Sequence, residues 1–301
     1  MSDGEAPLPS SQDLSVQAAE DVSTVARGGA IQIVGQIMQR SLSFLFSAVA
    51  TQPGFLNVAG FGLYRFVSQV FAVAGQVGLM GFNYASMRFI SAARAQNDPG
   101  GVRSAARIGL IGSGVASAVV VLILVLGAEI IAGPFADDAT ERSQLAYLVR
   151  VGAAYVPLFA LLQVLRYCTQ AFRTMVPSVV AGNIVQPAAR FVLGIGALVA
   201  GFAVTGAVTT LALSMGAGAL VGAYYLRRMV TEPERRAERP SLVRPMLKFA
   251  FPQAGASLLQ IQALGLGVIV LRYFEGNFQV GLFAIALALQ GPGAVFLSGI
   301  V

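Results

Sequence analysis

The chain has 301 residues, of which 56% are hydrophobic and only 11% charged, with a mean hydropathy of +0.72. Soluble domains carry about 25% charged residues, so this chain cannot cover a water-facing surface, and lipid must be its solvent over most of its length. The formal charge of +6 comes with no histidine and one cysteine, Cys168, which excludes an internal disulfide and leaves no ordinary transition-metal ligand set; no cofactor is expected.

Residues 1–26 are polar and acidic and lack the basic start and apolar centre of a signal peptide, so they read as a disordered tail. Eight apolar spans follow, at 28–51, 58–87, 106–133, 144–172, 176–200, 203–226, 246–271 and 278–301. Each is long enough, or nearly so, for a bilayer core of roughly 30 Å. All should be helices, because an isolated strand cannot satisfy its backbone polar groups in lipid. The fold class is therefore an all-α, polytopic transmembrane helix bundle.

Charge placement orients the spans. The segment after span two carries Arg88, Arg94, Arg103 and Arg107 against Asp98, and the one after span six carries Arg227, Arg228, Arg235, Arg236, Arg239, Arg244 and Lys248. The link after span three instead holds Asp137, Asp138 and Glu141 with Arg142. Positively charged loops stay on the cytoplasmic side, which places both basic loops and the N-terminus there. The organisation expected is a tail (1–26), a first lobe of six helices (27–228), a basic cytoplasmic loop (229–245) and the start of a second lobe (246–301). A weak internal repeat agrees with two lobes: Gly62-Leu63-Tyr64 falls opposite Gly281-Leu282-Phe283, and on nearly the same offset Arg40 falls close to Gln260.

Polar residues recur inside the spans at steps of three and four, which puts them on one helix face. Span one has Gln32, Gln36, Gln39, Arg40, Ser43 and Ser47; span two has Arg65, Gln69, Gln76 and Asn83. Span four has Gln163, Arg166, Tyr167 and Gln170, span five Asn183, Gln186 and Arg190, and span seven Gln253, Ser257 and Gln260. Such groups can serve only as packing contacts between helices, worth about 0.6 kcal/mol each, and arginines near span ends can snorkel to the interface. Arg40 and Arg190 are mid-span, where an arginine costs about 2.5–3.5 kcal/mol on insertion scales. No carboxylate of this chain falls at that depth. A guanidinium without a counter-charge calls for a wet cavity or an anion from elsewhere, and its fork suits phosphate oxygens. The candidate binding set is Arg40, Arg190, Arg65, Arg166, Gln36, Gln69, Gln163, Gln186 and Gln260, with no catalytic and no metal-binding residue. Pro187 lies three residues before Arg190; a kink there would aim the arginine inward, although prolines are also simply common in transmembrane helices.

The stretches GGAIQIVGQIMQRSLSFLFSAVA and FGLYRFVSQVFAVAGQVGLMGFNYASMRFISA, with the basic loop after them, resemble the start of a polysaccharide or O-antigen flippase. KFAFPQAGASLLQIQALGLGVIVLRYF followed by VGLFAIALALQGP is similar to that family's seventh and eighth helices. These flippases belong to the multidrug/oligosaccharidyl-lipid/polysaccharide exporter superfamily. The resemblance implies two pseudo-symmetric lobes around a central cavity and a lipid-linked oligosaccharide, on a polyprenyl pyrophosphate, as substrate. It further implies a place in the bacterial inner membrane and, as partners, membrane lipid and glycan polymerase or ligase proteins, with no nucleic acid. By location in the helices, Arg40, Arg65, Arg166 and Arg190 would meet pyrophosphate and the glutamine faces would meet sugar hydroxyls. The chain departs from the family in reading VATQPGF where an arginine usually precedes the first external turn. It also supplies about eight helices where relatives have about twelve to fourteen, so it reads as a piece of a longer protein or a shortened relative. Two other functions fit the same spans: a multidrug cation exporter of that superfamily, which would need a mid-membrane acid, and a non-transporting scaffold for glycan-assembly enzymes.

Overall fold

A computed structural model describes residues 11–238, 240–259 and 265–298. Every regular element in it is helical. The first helix, α1 (Ser11–Ala50), begins well before its apolar part, so residues 11–26, expected to be a disordered tail, are helical. From Ser11 to Ala26 there is no proline or glycine to break the backbone, the last prolines being Pro7 and Pro9.

The second span is two helices, α2 (Asn57–Leu79) and α3 (Phe82–Ala95), because Met80 and Gly81 take left-handed φ values of 44° and 73° between them. The following helix, α4 (Pro99–Leu126), starts earlier than its apolar stretch suggests, taking Arg103 and Arg107 out of the expected loop. The local chemistry explains it. Asp98 accepts the Gly101 N–H at 2.9 Å, and Pro99 occupies the first helical turn, where its missing N–H costs nothing. A short stretch through Phe135 then leads to α5 (Ala139–Gly152), capped by Asp138, and α6 (Tyr155–Gln170), which together make the fourth span.

The fifth span, α7 (Val176–Val199), contains a π-helical turn at Val180–Val185. An α-helix would need the N–H of residue 187 to reach the carbonyl of Asn183, and Pro187 has none, so the ladder widens just before it. The sixth span is α8 (Ala203–Met229). These six spans are long and apolar enough to cross a membrane. The seventh span holds α9 (Val243–Leu259) and, starting after Gly265 at a φ of 60°, α10 (Leu266–Phe274), and the eighth is α11 (Asn277–Ser298). Chain direction gathers the arginine-rich connections at one end of the bundle, the basic end, and Ala50, Phe135, Asp138 and Phe274 at the other, the far end.

The first six spans pack around a core that runs through Tyr64, Phe71, Val156, Leu162 and Leu211, all nearly or fully buried. The later helices lean on it at both ends. Near the basic end a Cβ on Gly81 would lie 2.3 Å from the carbonyl oxygen of Ala250 in α9. Towards the far end α11 crosses α2 with the backbones touching: a Cβ on Gly62 would come within 1.9 Å of the Asn277 carbonyl oxygen and 2.7 Å of the Gly281 nitrogen, and one on Gly281 within 2.1 Å of the Val58 carbonyl oxygen. These are the two glycines that the internal repeat pairs, and they meet face to face, as equivalent elements do when they cross near a pseudo-two-fold axis. Gln260, the repeat partner suggested for Arg40, lies outside the described residues.

The crossing yields a stability prediction. Gly62→Ala forces backbone apart at a packed contact, an overpacking cost of about 1–3 kcal/mol, and lowers the thermal unfolding midpoint in detergent by several degrees. Gly114, with nothing within 4 Å of an added Cβ, is the control: Gly114→Ala leaves the midpoint unchanged or raises it through helix propensity. Equal midpoints for the two variants would contradict the crossing.

Candidate functional site

A cavity of about 500 Å³ lies between α1, α2, α6, α7 and α11. One stripe of α1 supplies much of its wall, from Gln32 through Gln36, Gln39, Arg40 and Ser43 to Ser47. That is fifteen residues, or about 22 Å at 1.5 Å per residue, so the cavity runs from the basic-end half of α1 to within a turn of its far end. Arg65, Arg166, Asn183 and Arg190 complete the polar wall, and Phe44, Leu287 and Ala288 an apolar edge. Among the described residues no Asp or Glu lines it. Gln36 and Arg40 are exposed.

Neutral dipoles hold two of the four guanidinium groups in place. Arg166 donates through Nη2 to Asn183 Oδ1 at 2.9 Å, through Nε to Ser178 Oγ at 3.3 Å, and through Nη1 to Gln163 Oε1 at 3.4 Å. Asn183 donates in turn to Gln39 Oε1 at 3.0 Å, tying α7 and α6 to the cavity face of α1. The approach of Arg166 requires a glycine at position 182, where a Cβ would lie 2.4 Å from the guanidinium carbon. Arg190 donates through Nε and Nη2 to the Tyr64 hydroxyl at 3.0 and 2.6 Å. Its guanidinium carbon also sits 5.5 Å from the centre of the Phe46 ring and 5.6 Å from that of Tyr64. Cation–π attraction is worth about 0.5–2 kcal/mol, so the aromatic pair and hydroxyl together offset part of the cost of holding a cation at this depth. Arg65 is close enough to Arg190 for the two charges to repel, and its buried Nε has no hydrogen-bond partner. Among the described residues, then, the site carries four arginines in its wall and no acid.

Of the residues expected from sequence, Arg40, Arg65, Arg166, Arg190 and Gln36 line this one cavity. Gln163 stands behind Arg166 as its acceptor. Gln186 does not reach the cavity: it is buried and donates to Ser214 Oγ at 3.1 Å, across to α8. Four residues of helix turn a side chain by about 40° beyond a full circle, enough to swing Gln186 away from Arg190 toward Gly218, whose missing side chain makes room. Gln69 is also absent from the lining; it abuts Gly265 at the start of α10. Gln260 lies outside the described residues. Tyr64 and Phe46 were missed as holders of Arg190. The one signal for Tyr64 was its place beside Arg65 in FGLYRFV, a tyrosine and an arginine together in an apolar span.

Two measurements follow. Gln36→Cys is alkylated rapidly by a water-soluble maleimide in the folded protein, whereas the native, fully buried Cys168 is not; equal, slow labelling of both would contradict a wet cavity. Gly182→Val displaces Arg166 and breaks its bond to Asn183, costing about 1–3 kcal/mol, which a thermal unfolding scan reads as a lowered midpoint. An unchanged midpoint would contradict the close approach.

A family model for polysaccharide biosynthesis proteins matches residues 25–301. No curated protein matches the chain. Among solved structures the chain is similar to an inward-facing multidrug resistance MATE family transporter of the MOP superfamily, at 17% identity and a TM-score of 0.61 over 89% of this chain and 64% of that one. It is also similar to a MATE protein in complex with MaD3S, at 19% identity and a TM-score of 0.64 over 90% of this chain and 62% of that one. At such identities the likeness establishes the fold, and the chain spans less than two thirds of the length of these structures. With a match across nearly all of its length, this multi-pass membrane protein belongs to the polysaccharide biosynthesis protein family.

Proposed function

We propose that the protein is a flippase that moves an anionic, lipid-linked oligosaccharide across the bacterial cytoplasmic membrane by alternating access, for the assembly of a cell-surface polysaccharide. The observation that carries this reading is the cavity wall of four arginines with no acid in the described lining. A cluster of like charges within a membrane span is costly, and an incoming diphosphate, with several oxygens for guanidinium forks, offsets that cost. Gln32, Gln36, Gln39 and Asn183 present amides along the same wall, suited to sugar hydroxyls. The apolar edge at Phe44, Leu287 and Ala288, between α1 and α11, is where a lipid chain would leave toward the bilayer.

Positive-inside placement puts the basic end in the cytoplasm, so the chain would begin there and the cavity would face the side on which lipid-linked sugars are built. Binding energy comes from the diphosphate, and release on the opposite face requires the arginines to give it up to water. Arg166 and Arg190, already satisfied by neutral groups, can return to those partners when the substrate leaves. A cation exporter would instead call for a carboxylate in the cavity, and the described lining has none.

In proteoliposomes, translocation of a fluorescent polyprenyl-diphosphate sugar should fall at least about tenfold in each of Arg40→Gln and Arg190→Gln, the effect of losing about 1.4 kcal/mol of binding. Undiminished translocation by both variants at normal protein levels would overturn the proposal and favour a scaffold role.

A further inference from the structure

At the far end a second polar cluster joins the first lobe to the later helices, and nothing in the cavity reading uses it. Glu141 lies in the first turn of α5, where Asp138 caps the helix by accepting the Glu141 N–H at 2.7 Å. Its Oε2 accepts the Asp137 backbone N–H at 2.9 Å, which fixes the carboxylate. Its Oε1 accepts from Arg272 Nη2 at 2.7 Å and from Asn277 Nδ2 at 2.8 Å. Arg272 ends α10 and Asn277 begins α11, so three residues of two lobes meet on one oxygen. Arg272 is only 3% exposed, and its Nη1 donates to the Glu275 carbonyl oxygen at 3.1 Å. Two buried atoms of the cluster, Arg272 Nε and Asn277 Oδ1, have no hydrogen-bond partner among the described residues. Around the cluster, Phe135 packs against Phe66 (ring centres 4.9 Å apart) and, edge-on, against Tyr273 (6.3 Å).

The Glu141–Arg272–Asn277 cluster, the aromatic trio and the Gly62–Gly281 crossing all lie toward the far end, whereas the cavity lining begins at Gln32 in the basic-end half of α1 and stops at Ser47, a turn short of its far end. Opening the cavity to the far side by moving one lobe against the other must pull α5 from the α10–α11 corner, and these are the bonds that would part. A permanent brace would be expected to satisfy every buried polar atom. This cluster leaves two unsatisfied, as suits a contact that is made and broken. We infer that Glu141, Arg272 and Asn277 form a latch that holds the far gate shut and selects the state open at the basic end. The inference rests on the alternating-access reading, but its test does not depend on any substrate.

The test places a reporter cysteine in the cavity, Ser43→Cys, and measures alkylation by a membrane-impermeant maleimide in right-side-out and inverted vesicles carrying the full-length protein. With the latch intact, labelling comes from the basic-end side. Glu141→Gln and Arg272→Gln should each raise labelling from the far side about tenfold by shifting the population toward the far-open state. The reversed pair, Glu141→Arg with Arg272→Glu, should restore one-sided labelling. Folded single variants that remain labelled from the basic side alone would overturn the latch. If the single variants fail to fold, the reversed pair decides: one-sided labelling supports the latch, and labelling from both sides overturns it. Loss of sugar-lipid translocation with latch behaviour intact would count against the flippase reading alone.

Discussion

A guanidinium group at mid-membrane depth is the constraint on which the rest of this structure depends. Lipid cannot solvate it, and among the described residues the cavity wall offers no carboxylate to neutralise it. The chain answers with geometry. Arg166 is spread over three neutral oxygens, and Arg190 is set against a tyrosine hydroxyl and two rings. Neutral acceptors lower the cost of the charge without cancelling it, so the positive potential remains available to an incoming anion. An internal Asp or Glu would have been a cheaper counter-ion, and it would have competed with that anion.

The same constraint accounts for local features that look unrelated. Gly182 has no side chain because Arg166 crosses it, and the π-helical turn at Val180–Val185 falls where Pro187 leaves the Asn183 carbonyl without its usual donor. The contact of α2 with α11 brings Arg65 and the Leu287–Ala288 edge to one space. Each is a place where close backbone approach or an altered helical ladder brings a polar group to the wall. The far end is built differently, from an ion pair, an amide and three aromatic rings that join α2 and α5 to α10 and α11. Charge held by neutral dipoles lines the space; charge held by opposite charge closes it.

Much of this was legible in the sequence because lipid makes strict demands. Apolar length revealed the spans, and a three-four spacing revealed the cavity stripe of α1 almost residue for residue. Local backbone chemistry was harder to read. Asp98-Pro99 is a helix start, but the arginines after it suggested a loop, and the left-handed turns at Met80-Gly81 and at Gly265 sit within long, mostly apolar runs. Pairing between distant segments was not legible. Arg190 meets Tyr64 across 126 positions and Arg272 meets Glu141 across 131, distances that no periodicity encodes. Gln186 shows the limit from the other side, since spacing alone cannot tell a cavity face from a contact with α8 some 40° away.

The central claim is that the cavity selects anions. The most direct measurement is calorimetric titration of the purified protein with inorganic pyrophosphate and, separately, with a lipophilic organic cation, at two salt concentrations. The account predicts that pyrophosphate binds, more weakly as salt rises because charge attraction is screened, and that the cation does not compete. Binding of the cation with no measurable binding of pyrophosphate would contradict it.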